Sequence, residues 1–389
     1  MKFTRLSALN ALSTLLLLGG AQALPIANLP VIRLATLSPL SGGQSDQGLQ
    51  IRNATQLAVA AFAPRFRATG FDLQLASYDD QADPTVGTAL ARRMVADKAI
   101  LAMIGTYNSG VAVPVSDVLK GDHLAMITPA ATGVKVTARG LPNVNRVIAR
   151  DDAQGSAIGK FIASTLKAKK VYMLDDKTAY GQGLSSEVEK YLRAHDVAIV
   201  ASEGTEERSD FSSIIGKIKA SRPDMVFFGG IFNQGAPFVK QLRQAGGDMP
   251  VMGGDGWDSS EFQKLAGTAS SGVLYTATAA PASSLPAAAT FAALYRRTFK
   301  NDVQGFGVTA YDAAQIALGT ILKLVQAGDG KIPERAQVEG AIRASTTKNL
   351  FSGEVQFDAL GDRRNASIYV IRIQPDLSIK VIESVSGAK

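Results

Sequence analysis

The sequence predicts an α/β protein of two lobes, each built on a doubly wound parallel sheet and joined by a hinge that the chain crosses three times. Three observations predict this. Short, wholly apolar runs bounded by turn residues alternate with helical patterns, as strands covered on both faces require. The alternation runs once to about Arg150 and then restarts, so two sheets are filled one after the other. Beyond Gly272 a strand is followed by three helices and then by strand character again, which returns the chain to sheets already begun.

The elements follow in order. Val31 to Leu37, Asp72 to Ser77, Ile100 to Ile104 and Leu124 to Thr128 read as strands, separated by helices over about Gln47 to Phe62, Pro84 to Asp97 and Val111 to Leu119. Asp83 before Pro84 is a helix-start pair, a capping carboxylate followed by a residue that needs no N–H partner. After Arg150, helices are expected over Ala153 to Leu166, Gly183 to Ala194, Phe211 to Ala220 and Gly235 to Gln244. Strands are expected over Lys170 to Leu174, Val197 to Ser202, Asp224 to Phe228 and Val251 to Gly253. Val273 to Thr278 is the next strand. Helices over about Ala287 to Phe299, Val308 to Ala327 and Glu334 to Ala344 come next, then strand character at Gly353 to Phe357 and Ile368 to Ile373. Asn145 to Arg150, Tyr275 to Ala280 and Gly353 to Asp358 are the expected crossings. A hinge of several strands suits closure around a ligand.

The chain has 389 residues, 46% of them apolar and 19% charged, a core-forming balance. Cysteine is absent, which excludes disulfides, thiolate metal sites, a cysteine nucleophile and a lipidated cysteine. Only His123 and His195 occur, so histidine-based metal or relay chemistry is disfavoured. The net charge of +7 is modest, and pairs such as Lys169-Lys170 and Arg296-Arg297 are scattered, so no nucleic-acid footprint forms. At the N-terminus Lys2 and Arg5 precede the apolar stretch Leu6 to Leu18, and Ala21-Gln22-Ala23 matches a cleavage site. A signal peptide over 1–23, cleaved after Ala23, is expected, with a periplasmic product. No later stretch reads as long and apolar enough to span a membrane. Outside the cytosol ATP and NAD(P)H are scarce, which argues against a kinase or dehydrogenase.

Catalytic and cofactor signatures are missing. No phosphate-binding loop, dinucleotide fingerprint, nucleophile elbow or H-E-x-x-H motif occurs; GSAIGK, Gly155 to Lys160, is one residue short and sits in a helical pattern. The string Asp79-Asp80-x-x-Asp83 has ligands for Mg²⁺ but lies at a strand-to-helix turn, where Asp caps. Asp175-Asp176 reads the same way. No cofactor is expected.

In open α/β sheets ligands bind beyond the carboxyl ends of the strands. The loops there are small, polar and glycine-rich: SPLSGGQSDQG (Ser38 to Gly48), GTYNSG (Gly105 to Gly110), TPAAT (Thr128 to Thr132), DDKTAYGQG (Asp175 to Gly183), GGIFNQG (Gly229 to Gly235) and GGDGW (Gly253 to Trp257). Ser109 and Thr132 sit where hydroxyls and the free N–H groups of a helix start accept a carboxylate. Asp255, alone in a glycine-rich loop, suits an ammonium. Tyr180 reads as an exposed loop aromatic that covers a ligand. Together these features point to a small zwitterion.

The same pieces, with DFSSIIGKIK (Asp210 to Lys219), FFGG (Phe227 to Gly230) and TAYDA (Thr309 to Ala313), resemble the periplasmic leucine/isoleucine/valine-binding proteins from about Ile32 to Ile373. These are the type I solute-binding components of ABC importers. The resemblance implies a type I periplasmic-binding-protein fold and a non-enzymatic receptor that delivers an amino acid, branched-chain or related, to a membrane permease, as a monomer. It places the ligand's charged end at Ser109, the Ala130 backbone, Ala131 and Thr132, with Tyr180 and Asp255 from the second lobe. It places the side chain against Gln47, Ile231 and Phe306. It sets one lobe at 24–148 plus 279–354 and the other at 149–278 plus 355–389. The chain departs from the family where Gln47 and Ile231 replace large aromatics, and where Ala82 and Asn108 replace a cysteine pair. The first departure predicts a roomier, more polar pocket and a ligand other than leucine, isoleucine or valine, with Tyr107 and Phe232 the neighbours able to refill the space. An amide, urea or aromatic-acid receptor and a sensory subunit are the alternatives.

Overall fold

The structure, a computed structural model, describes residues 29–388, so the expected signal peptide lies outside the described residues. The first sheet is assembled from β1 (Val31–Ser38), β2 (Asp72–Asp79), β3 (Ile100–Gly105), β4 (Ala125–Thr128) and β5 (Val144–Arg146), in the order β2-β1-β3-β4-β5. Every pairing in it is parallel. The crossovers carry α1 (Ser45–Ala68), α2 (Pro84–Ala96), α3 (Ser109–Lys120) and the single turn α4 (Val134–Thr137). β3 and β4 are buried along their whole length, which is why they read as unbroken apolar runs. Asp83 caps α2 as the sequence indicates, accepting from the Thr85 and Val86 N–H groups at 2.6 and 3.1 Å.

The second sheet combines α5 (Asp151–Lys160), β6 (Lys170–Asp175), α6 (Ala179–Ala194), β7 (Ala198–Gly204), α7 (Ser212–Ser221), β8 (Met225–Gly229), α8 (Phe232–Gln244), β9 (Val251–Gly253), α9 (Ser260–Ala266) and β10 (Leu274–Ala277). The helix expected to run to Leu166 loosens into a π-helical turn at Phe161–Thr165. After β10 the chain returns to the first lobe as α10 (Ala289–Phe299), α11 (Gly305–Ala327) and α12 (Arg335–Arg343), where α11 packs on α1 and β3. A short ribbon of β11 (Thr346–Thr347) and β12 (Val355–Gln356) follows. The chain then crosses back, and β13 (Ala366–Ile373) and β14 (Ile379–Ala388) extend the second sheet antiparallel, in the order β14-β13-β10-β9-β8-β6-β7.

By length and composition α11 can cross a membrane, a stretch the sequence reading passed over. Most of it is buried between α1 and the first sheet, the setting of a core helix.

The chain thus passes between the sheets three times, and two of the passages are tied together. Arg146, fully buried at the end of β5, donates through Nε and Nη2 to Asp362 Oδ1 at 2.8 and 2.6 Å. Arg150 reaches Asp362 Oδ2 at 3.1 Å. The Arg146 N–H also donates to the Gly361 carbonyl at 2.8 Å.

Candidate functional site

The site lies where loops at the carboxyl ends of strands from both sheets meet. From the first lobe, the loop after β3 feeds the start of α3. The first two residues of α3 have N–H groups without helical partners, so this end attracts anions. Ser109 opens the helix, and its Oγ accepts from the Gly133 N–H at 3.0 Å, which ties the helix start to the loop after β4. In that loop Thr128 Oγ1 accepts from the Ala130 and Ala131 N–H groups at 3.3 and 2.9 Å. The same loop is braced from below by Arg146, which donates through Nη1 to the carbonyls of Ala131 and Gly133 at 3.0 and 2.9 Å.

From the second lobe, Thr178 caps α6 and sets Tyr180 in its first turn. The Tyr180 hydroxyl donates to Asp255 Oδ1 at 2.7 Å and accepts from the Gly256 N–H at 2.9 Å. Gln154 on α5 donates through Nε2 to both Asp255 Oδ1 and Asp151 Oδ1, at 3.0 and 3.1 Å, and its Oε1 accepts from the Asp255 N–H. Gly256 must be glycine, because a Cβ there would lie 2.6 Å from the Gly230 carbonyl and 2.9 Å from the Tyr180 ring.

Two carboxylates therefore share one amide in a buried setting. Burial pushes the Asp255 carboxyl above its ordinary range, against the bonds from Tyr180 and Gln154 that favour its charged form. Burial raises Asp151 well above that range too, with the Asp255 charge adding to it. Burial also lifts the Tyr107 and Tyr180 hydroxyls, so both stay protonated and able to donate.

One cavity is lined by Tyr107, Asn108, Ser109, Ala130, Tyr180, Ile231, Asp255, Gly256 and Phe306. The sequence reading had named Ser109, Ala130, Tyr180, Ile231, Asp255 and Phe306 among these. It had named Tyr107 only as a neighbour of the pocket and had given no ligand role to Asn108 or Gly256, all of which lie within two loop strings it had singled out. Gln47, Ala131 and Thr132 do not line the cavity. Gln47 instead spans the cleft, its Nε2 donating to the Asp258 carbonyl at 3.0 Å and to Gln304 Oε1 at 2.9 Å. Thr132 is buried beneath the loop, with its hydroxyl unpartnered.

Three expectations change. Tyr180 is not an exposed loop residue: it sits in a helical turn and is 7% exposed, because its ring closes over the Asp255 loop. Asp255 is not alone: Tyr180, Gln154 and Thr278 all donate to it. Nor is the pocket roomier. Tyr107 packs edge-to-face on Phe306 with ring centroids 5.7 Å apart, and the space a water-sized sphere can sweep is about 20 Å³. That is room for one or two waters.

Two sheets joined by three crossings and meeting over a small, mostly apolar cavity with a few convergent polar groups define a ligand receptor of the binding-protein class, with strand ends of both lobes supplying the walls. The chain belongs to the periplasmic binding protein family, whose model matches residues 31–377. It is 32% identical over 310 residues to a Leu/Ile/Val-binding protein of Rhizobium johnstonii, covering 79% of this chain and 84% of the relative. Among solved structures it resembles a leucine-binding protein of Thermotoga maritima, with a TM-score of 0.82, 24% identity, and 91% and 98% of the two chains covered. It also resembles a solute-binding protein of R. palustris in complex with benzoate, with a TM-score of 0.81, 21% identity, and 92% and 97% covered. The family is one of solute binders, not enzymes, in agreement with the missing catalytic motifs.

Proposed function

We propose that this protein is the periplasmic receptor of an ABC importer, taking up an amino acid of the branched-chain type or a related one and presenting it to a membrane permease. The single observation that carries the reading is the polarity of the cavity. One wall holds the start of α3 and the Ala130 loop, which attract a carboxylate, and the facing wall holds Asp255, which attracts an ammonium. The Leu/Ile/Val-binding relative and the leucine-binding fold neighbour support it. The benzoate-bound neighbour makes an aromatic acid the second reading. It fits less well, since Asp255 would then face no cation.

In this reading residues 1–23 direct export and are removed after Ala23, and the exported chain works as a monomer. One lobe comprises 24–148 plus 279–354, the other 149–278 plus 355–389. Ser109, the Ala130 backbone, Ala131 and Thr132 serve the carboxylate, Ala131 and Thr132 from just behind the cavity wall. Tyr180 and Asp255 serve the ammonium. Ile231 and Phe306 meet the side chain, with Gln47 at its far end. Ligand binding closes the lobes, and the permease senses the closed shape. A thermal-shift screen of amino acids, amides and aromatic acids tests this. A ligand at 100 times its dissociation constant stabilises by about 2.7 kcal/mol. Stabilisation by an α-amino acid is the expected result, and stabilisation by aromatic acids alone would replace this reading with the second one.

A further inference from the structure

A second cavity adjoins the ligand cavity toward the mouth of the cleft. The two share Asn108, Ser109 and Tyr180 as a common wall. Both lobes line the outer one, through Gln44 and Gln81 on one side and Thr178 and Arg208 on the other. A water-sized sphere sweeps about 470 Å³ of it, against about 20 Å³ in the ligand cavity. A ligand held at Asp255 that outgrows the small cavity therefore has this space to grow into, past Ser109. The two cavities are opposite in charge. Asp255 is the one charged residue lining the inner cavity, and Arg208 is the one charged residue lining the outer.

Arg208 is exposed and, among the described residues, its side chain makes no hydrogen bond or ion pair. The acids on the flanking segments are already engaged. Asp79 accepts from Leu40, Ser41 and Gln81, Asp176 from Thr178 and Ile231, and Glu206 pairs with Lys177. The guanidinium is thus a free cation at the outer end of the passage. The shared wall carries a second signal. Asn108 donates through Nδ2 to Gln44 Oε1 at 2.7 Å, yet its Oδ1 is buried without a partner. The neighbouring Tyr107 hydroxyl, 6% exposed and lining the inner cavity, has no partner either. Buried polar atoms are normally paired, so this wall awaits a ligand that both donates and accepts. A free carboxylate at Ser109 only accepts, and it leaves Asn108 Oδ1 unsatisfied. An amide does both: its N–H suits Asn108 Oδ1, and its carbonyl suits the Tyr107 hydroxyl and the α3 start.

We infer that the ligand is an α-amino acid joined through an amide to a second residue that ends in a carboxylate, a dipeptide-like molecule whose amide N–H meets Asn108 Oδ1 and whose terminal carboxylate meets Arg208 in the outer cavity. This rests on the preceding reading of Asp255 as the ammonium site and of Ile231 and Phe306 as the side-chain wall. The amide carbonyl stands where that reading sets an α-carboxylate. A guanidinium suits the outer end, because its planar fork matches a carboxylate. The ligand also joins the lobes, since Asn108 precedes α3 and Arg208 lies between β7 and α7.

Titration calorimetry with L-leucine, L-leucylglycine, L-leucylglycinamide and L-leucylsarcosine tests the inference. The glycinamide lacks the terminal charge, and the sarcosine peptide lacks the amide N–H. L-leucylglycine should bind at least about tenfold tighter than each of the other three, a margin of about 1.4 kcal/mol. Arg208→Gln should bring L-leucylglycine and L-leucylglycinamide to within about threefold of each other, and the exposure of Arg208 makes this a mild change for the fold. L-leucine binding as tightly as L-leucylglycine would overturn this inference and leave the amino-acid receptor intact. An acid-to-amide ratio unchanged in Arg208→Gln would overturn the placement of the carboxylate. The sarcosine peptide binding as tightly as L-leucylglycine would overturn the contact at Asn108. Binding by none of the four would overturn the amino-acid reading of the inner cavity itself.

Discussion

In the proposed function, Asp255 is the residue on which ligand charge is read. Its carboxylate has three donors from the protein, yet it still lines the cavity and burial keeps it above its ordinary range. An ammonium arriving there restores its charged form. Asp255→Asn should weaken α-amino-acid binding by about 1.5–3 kcal/mol, the scale of a charge-assisted hydrogen bond, as measured by calorimetry. Asp80 shows the same physics without a ligand. The string Asp79, Asp80, Asp83 is taken up by backbone bonds: Asp79 accepts from the Leu40 and Gln81 N–H groups, Asp80 from Ala82 N–H, and Asp83 caps α2. Asp80 is the buried member, and burial lifts it from 3.8 to about 7. The unfolded chain releases this proton near 3.8, while the folded protein holds it to about 7. In that window the folded state binds more protons, so this group's contribution to stability falls as pH rises, by at most about 1.4 kcal/mol per unit. Denaturant unfolding at pH 5 and pH 8 should therefore show Asp80→Asn gaining on the parent at the higher pH. An equal offset at both values would count against the assignment.

Elements were legible where local chemistry specifies them. The Asp83-Pro84 pair marks the start of α2, and the wholly apolar runs mark β3, β4 and β8. Asp83→Ala should cost about 0.5–2 kcal/mol of stability with little effect on ligand affinity, because the cap lies at the surface. Chemical denaturation beside calorimetry checks both halves. Other elements escaped notice for stated reasons. β5 is three residues long and takes its identity from pairing with β4. β14 is an edge strand that only β13 pairs with, and its apolar residues are interrupted by Lys380, Glu383, Ser384 and Ser386, so no unbroken apolar run marks it. α4 is a single turn. Tyr180 was misjudged because the helix start lies four residues earlier than periodicity indicates, once Thr178 is recognised as the cap.

Across the whole molecule, the ligand loops and the hinge form one structure. Arg146 joins the carbonyls of Ala131 and Gly133, behind the carboxylate wall, to Asp362 in the third crossing. Removing Asp362 would leave a fully buried guanidinium without its counter-ion. Asp362→Ala should cost about 3–5 kcal/mol, the scale for breaking a buried ion pair by deleting one partner. Asp362→Asn, which keeps a hydrogen-bond acceptor, should cost less; denaturant titration of both variants measures the difference. By itself the sequence determined the two-lobed α/β class, most strands, and Ser109, Tyr180 and Asp255 among the residues that line the cavity, because buried parallel strands and glycine-rich strand-end loops are local patterns, whereas Ala130, Ile231 and Phe306 came from the family resemblance. The tertiary structure alone decided which loops meet and what fills the space between them. Gln47 turns to Asp258, more than two hundred residues away. Tyr107 packs edge-to-face on Phe306, far away along the chain. Asp151 becomes the partner of Asp255 through Gln154. The first of these contacts crosses between the lobes and the other two join distant segments within one lobe, and no local pattern records a neighbour at that distance.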